Sequence, residues 1–217
     1  MKKYSLIIFD LDGTLLNTKP GIFSAIRYTA DKMNLPQLPE STLAKFCGPP
    51  SMVSYKKYFN LDDEMLQNCI AIHRKFQNEQ GYKEAAPYKQ IENLLKQLKT
   101  SGYLLAVATL KREDIAVRTL DAAGLSSYFD LIKGIDLAES KSKKDLLEEI
   151  LDHLHCHPTD AVLIGDSQYD AQGAWTANIP FIAVTYGYGF KCKSDTDFYH
   201  PVYTAKDVYE LCNFFTS

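Results

Sequence analysis

The sequence holds no CxxC pair. Its five cysteines, Cys47, Cys69, Cys156, Cys192 and Cys212, are scattered and odd in number. Such a set offers no disulfide framework, and a reduced, cytoplasmic setting is expected. Neither charge is in excess: 24 Lys+Arg stand against 27 Asp+Glu. That balance argues against a nucleic-acid polymer as partner, and no like-charge tail is present. No apolar run is long enough to cross a bilayer, so no membrane role is expected. The start, Met1-Lys2-Lys3, is basic, but the apolar run behind it ends at Asp10, too short for a secretory leader. Repeats and low-complexity segments are lacking too. The near-neutral surface allows a monomer or a weak homodimer.

What the chain does have is strand–helix alternation. Its 217 residues suffice for a core domain with a modest insertion. Leu6-Ile7-Ile8-Phe9, Tyr103 to Ala108, Leu131 to Ile135, Ala161 to Ile164 and Phe181 to Val184 read as buried strands. Helices are expected from Pro87 through Leu98, from Lys111 to Ala123, from Lys143 through Leu154, from Gln168 to Ala177 and from Ala205 to Phe214. That order predicts an α/β fold, parallel strands with helices on both faces. Thr18 to Tyr82 breaks the rhythm, with helical patterns over Gly21 to Met33 and Asp63 to Gly81 and no convincing strand. The expected division is a core of residues 1–16 and 84–217 and a helical insertion of residues 17–83. Leu15 to Asn17 and Lys83 to Ala86 would link them.

Carboxylates gather at the ends of the expected strands, where open parallel sheets bind ligands. Asp10-Leu11-Asp12-Gly13-Thr14 follows the first strand. Two close anions need a cation or a shared proton, so the segment suggests a metal site or a nucleophile with an acid/base partner. A plain Asp-Gly turn remains open on this segment alone. Gly165-Asp166-Ser167-Gln168-Tyr169-Asp170 puts two more acids at a strand end and one turn into a helix. Helix capping explains one of them, and oxygen-only ligands suit Mg²⁺. Thr109 ends another strand and can hold a phosphate oxygen or simply cap a helix. Lys143 opens a helix, where a cation sits awkwardly unless anions face it; Lys141 and Lys144 compete. His153, His155 and His157 do not converge and are expected to face solvent. His73 and His200 read as structural or exposed.

Asp-x-Asp-Gly-Thr, a strand-end Thr, a Lys and Gly-Asp-x-x-x-Asp, in that order, resemble the haloacid dehalogenase superfamily of phosphohydrolases. The resemblance implies a doubly wound, Rossmann-like core with an inserted helical cap. Gly48-Pro49-Pro50, Val107-Ala108-Thr109-Leu110-Lys111 and Tyr186-Gly187-Tyr188-Gly189 look like its phosphoglycolate phosphatase-like branch, some members of which act as 5′-nucleotidases. By that resemblance Asp10 is the nucleophile and becomes a phospho-aspartate. Asp12 is the general acid/base, and its backbone carbonyl binds the metal. Thr109 and the Leu110 N–H orient the phosphoryl group, and Lys143 neutralises it, with Lys141 as the alternative. Asp166 ligates Mg²⁺, and Asp170 supports Lys143 or the metal's waters. The substrate expected is a small phosphorylated metabolite. Thr18 and residues 83–86 are the expected hinges, and Lys45, Gly48, Ser51 and Tyr55 the expected specificity residues of the cap. Runners-up are a sugar-phosphate mutase, a phosphonate hydrolase using Lys45, Lys56 or Lys57, and a non-catalytic phosphate-binding protein. Asp12 argues against a dehalogenase, which needs no second carboxylate.

Overall fold

The computed structural model describes residues 4–138 and 140–216; the basic start lies outside them. In chain order the elements are β1 (Leu6–Phe9), β2 (Leu16–Asn17), α1 (Lys19–Lys32), α2 (Glu40–Leu43), α3 (Ser51–Phe59), α4 (Asp63–Glu79), β3 (Ala86–Pro87), α5 (Ile91–Thr100), β4 (Leu104–Arg112), α6 (Glu113–Ala122), β5 (Leu131–Ile135), α7 (Lys143–His153), β6 (Ala161–Gly165), α8 (Gln168–Thr176), β7 (Phe181–Val184), β8 (Tyr203–Ala205) and α9 (Val208–Thr216). Among the described residues no helix is long and apolar enough to cross a membrane.

A six-stranded parallel sheet runs in the order β5-β4-β1-β6-β7-β8. β1 lies inside it, with Leu6 opposite both Leu104 and Ala161. Both faces of β1 are covered, which is why its four residues are all apolar. Ile7 and Phe9 pack with Leu94, Leu95 and Leu98 of α5 and Leu211 of α9. Leu6 and Ile8 point the other way, toward Leu146 and Ile150 of α7 and Ala171 and Ala174 of α8. Alternation along one strand thus builds two cores, one on each face. The parallel connections carry every strand's carboxyl end to one edge, where Asp10, Thr109 and Asp166 emerge.

The chain between β2 and β3 is helical and has its own apolar cluster, including Phe23, Ile26, Leu43, Phe46, Tyr55, Leu66 and Ile70. Asp62 caps α4 by accepting from the Met65 N–H at 2.8 Å. The two expected linkers pair with each other as an antiparallel ribbon, Leu16 opposite Pro87 and Asn17 opposite Ala86.

Three boundaries differ from the sequence reading. Pro87 does not open a helix; it sits in the β2–β3 ribbon, where a missing N–H is tolerated at a strand edge, and α5 starts at Ile91. β4 runs past Ala108 to Arg112, with a register shift between Thr109 and Arg112, so Lys111 belongs to a strand and α6 begins at Glu113. Tyr203–Ala205 is a sheet-edge strand, and the last helix begins at Val208.

Candidate active site

Asp10 is the first residue after β1, and its N–H continues the ladder to the Ile164 carbonyl at 2.9 Å. Lys143 is the first residue of α7 and is buried, 5% exposed. Its Nζ donates to Asp10 Oδ1 at 2.7 Å and to the Ala108 carbonyl at 2.7 Å. Asp170 Oδ1 lies 2.7 Å from the same Nζ as an ion-pair contact outside hydrogen-bond geometry. Gly173 of α8 makes this reach possible, because a Cβ there would run into the Lys143 stem. The competing lysines are taken up elsewhere: Lys141 pairs with Glu149, and Lys144 with Glu148 at 3.2 Å. α7 tolerates a cation at its start because Ser142 and Asp145 form a capping box.

Asp166 follows β6 and is held by the loop after β7. Its Oδ2 accepts from the backbone N–H of Tyr188 and, at 3.0 Å, from that of Gly189. Gly13 has a φ of +89°, and a Cβ there would lie 2.6 Å from Asp166 Oδ2. Only glycine meets both demands. Asp170 does two things at once. Its Oδ2 accepts from Ser167 N–H (3.1 Å) and Oγ (2.6 Å), capping α8, while Oδ1 faces Lys143. Carboxylate oxygens of Asp10, Asp166 and Asp170 all lie within 4.8 Å of one another. Asp12 is not part of that triad. Its carboxylate is held by Lys111 Nζ, at 2.9 Å to Oδ2 and 3.1 Å to Oδ1.

Thr109 is buried, and its Oγ1 accepts from the Lys111 N–H at 3.1 Å. A narrow cavity of about 20 Å³ brings Asp10, Asp12, Thr109, Leu110, Lys143 and Asp166 together with Gly48 of the helical insertion. Of the other expected specificity residues, Ser51 lines a second cavity and Lys45 an outer groove. Tyr55 is a correction: it is fully buried within the insertion, and its hydroxyl meets His73 Nδ1 at 3.1 Å. Its helical spacing served the insertion's own core rather than the cleft. His153, His155, His157 and His200 are exposed.

Two groups escaped the sequence reading. Lys111 looked like the start of a helix; the usable signal was a cation two residues beyond a strand-end Thr, beside the Asp12 strand. Tyr188 looked like part of a motif without a task. Its hydroxyl accepts from the N–H of Thr18 (2.6 Å) and Lys19 (2.9 Å), supplying the cap that the Thr18 side chain does not give α1.

Residues 7–184 match the family described as haloacid dehalogenase-like hydrolase. The chain belongs to that family. Its fold is the α/β fold of the haloacid dehalogenase-like proteins. It is 35% identical over 185 residues to tyrosine-protein kinase PtkA of Mycobacterium tuberculosis, a match over 85% of this chain and 63% of that protein. This chain thus spans less than two thirds of that relative's length. It is 28% identical to pyrophosphatase PpaX of Halalkalibacterium halodurans over 94% of each chain. Identity to the phosphoglycolate phosphatase of Aquifex aeolicus is 30%, over 84% of this chain and 85% of that one. The crystal structure of a predicted phosphatase from Clostridium acetobutylicum superposes with a TM-score of 0.90 at 34% identity, covering 98% of both chains.

In this haloacid dehalogenase-like site three buried carboxylates face one ammonium, which leaves negative charge to be balanced. Burial pushes Asp10 well above the usual carboxylate range; Asp170 and Asp166 add to the rise, and Lys143 opposes it. Asp166 is pushed up to about 6 by burial and by Asp170, against the Gly189 and Tyr188 N–H groups. For Lys143, burial works downward, but Asp10 and Asp170 outweigh it and raise its pKa. A divalent cation on these all-oxygen donors would remove the frustration, so the residues fit Mg²⁺. The sign of the pH effect follows. A carboxyl whose folded pKa lies above 3.8 stabilises the fold at low pH, and this is lost as pH rises through about 6. Metal-free protein should therefore lose thermal stability between about pH 4 and pH 7, and Mg²⁺ should flatten the trend. Melting curves across that range, with chelator and with Mg²⁺, check it; identical slopes would refute the charge frustration.

Proposed function

We propose that the chain is a Mg²⁺-dependent phosphatase that hydrolyses small-molecule phosphate monoesters through a phospho-aspartate on Asp10. The observation that carries this reading is the Lys143 ammonium clamped between Asp10 and Asp170 beside Asp166, with Asp12 as a separate carboxylate. Asp10 and the phosphoryl group are both anionic, and two such charges at contact repel by about 4 kcal/mol at an effective dielectric near 20. Lys143 offsets part of that repulsion and fixes Asp10 for attack. Thr109 and the Leu110 N–H orient the phosphoryl oxygens. Asp12 protonates the leaving oxygen, then takes a proton from the water that attacks the phospho-aspartate. Mg²⁺, held by Asp10, Asp166 and the Asp12 carbonyl with Asp170 behind, would draw charge from the phosphoryl oxygens. The helical insertion, residues 17–83, serves as a cap that opens for exchange and closes against water, hinged near Thr18 and residues 83–86. The named relatives support a phosphorylated small substrate, and five free thiols support a reducing, cytoplasmic setting.

The test is phosphate release from a panel of sugar phosphates, nucleoside monophosphates, phosphoglycolate and pyrophosphate, with Mg²⁺ and with chelator. Release that depends on Mg²⁺ is expected. A protein silent on the whole panel would overturn the reading, and activity unaffected by chelator would remove the metal from it.

A further inference from the structure

The cavity that holds the three acids is not closed. It shares Asp12, Gly48, Leu110 and Lys111 with a second cavity of about 90 Å³ under the helical insertion. The Lys111–Asp12 ion pair stands at this junction, with side-chain exposures of 12% and 16%. A third opening, the wide groove of about 630 Å³ past Asp166 and Tyr169, does not include Asp12. The leaving oxygen must lie beside Asp12. Of the two neighbouring spaces the second cavity is the one that Asp12 lines, so it is the space open to the group attached to that oxygen.

The walls of the second cavity carry more positive than negative charge. Lys111 and Arg112 come from β4, and Arg74 from α4. Among its described lining residues Asp12 is the one carboxylate. Arg112 is already chelated by its neighbour Asp114, at 2.6 and 3.0 Å. Lys111 instead points inward, and its Asp12 contacts lie inside the site. His73 also lines the cavity and is held neutral there, its pKa lowered to about 3 first by burial and then by Lys111 and Arg74. The space is far below the roughly 300–1,000 Å³ of pockets for drug-sized ligands. The space suits a group of a few heavy atoms rather than a nucleoside.

Resting on the phosphatase reading above, we propose that this cavity is a subsite for a compact leaving group bearing a second anion, a carboxylate or a phosphate, and that Lys111 is the specificity determinant that receives it. When such a substrate binds, Lys111 exchanges one of its two Asp12 hydrogen bonds for the incoming anion. A neutral leaving group offers no such exchange, and Lys111 stays on Asp12. Arg74 adds long-range attraction from the insertion side.

The experiment uses matched esters: phosphoglycolate and ethane-1,2-diol bisphosphate, each against 2-hydroxyethyl phosphate. Each pair differs in the second anion, and the two pairs separate carboxylate from phosphate. The quantity read is the ratio of kcat/KM within a pair, in which any effect of Lys111 on Asp12 itself cancels. Wild-type protein should favour the doubly anionic member of at least one pair. Lys111→Met should shrink that ratio by about 30-fold or more, the scale for removing a buried charge partner. Lys111→Arg should recover most of it. A wild-type ratio near one for both pairs overturns the subsite, and that measurement needs no variant. Equal losses on both members in Lys111→Met also overturn it, leaving Lys111 as a support for Asp12. Activity on none of the esters would instead refute the phosphatase reading, and the subsite with it.

Discussion

Asp10→Asn should lower turnover by about 10⁴-fold or more, the scale on which losing a nucleophile is felt. The amide keeps the shape of the side chain and its place beside Lys143 but cannot attack phosphorus. Its effect on stability has the opposite sign from its effect on rate. Asp10 is held in a buried, acid-rich position that pushes its pKa up. Removing that charge relieves the metal-free fold, so the melting temperature should hold or rise while activity disappears. Steady-state rates with Mg²⁺ and a melting curve without it separate the two effects. Turnover within tenfold of wild type would discard the covalent step.

Lys143→Met should damage both rate and stability. Among the described residues Lys143 is the cation in contact with Asp10 and Asp170, and it is almost fully enclosed. Removing one partner of a buried ion pair leaves the other charge uncompensated, at a cost of about 3–5 kcal/mol. For a chain of this size that is a fall in Tm on the order of 10 °C. Mg²⁺ should restore part of the lost stability, because it supplies positive charge to the same oxygens. It should not restore the rate, since the phosphoryl group loses its ammonium. An unchanged Tm in chelator would show that Lys143 does not balance the triad.

The readable parts of this protein were those written locally. An all-apolar run such as Leu6–Phe9 declares a strand covered on both sides, and an acid directly behind it declares the strand's functional end. The family resemblance favours Lys143 over Lys141, and the contacts with Asp10 and Asp170 single it out. The unread parts depend on distant partners. Lys111 meets Asp12 across 99 residues of sequence, and its place two residues beyond a strand-end Thr gains meaning only from that distant partner. Pro87 carries a local signal for a helix start, but its pairing with Leu16 overrides it. β8 is three residues long and gains its identity from β7. Tyr55 shares only a weak apolar pattern with Val53 and Phe59, and the packing of Phe46, Phe59 and His73 around it places it in the insertion's core.

The strand order has a consequence for how the molecule comes into being. β1 is made before both of its neighbours in the sheet, and the lysine that meets Asp10 arrives 133 residues later. Until then a fully apolar strand waits without its partners, a state that favours slow maturation and association with other chains. Catalytic competence is thus a late event in the life of each polypeptide. A ribosome-bound fragment ending before Ala161 should be sticky and inert.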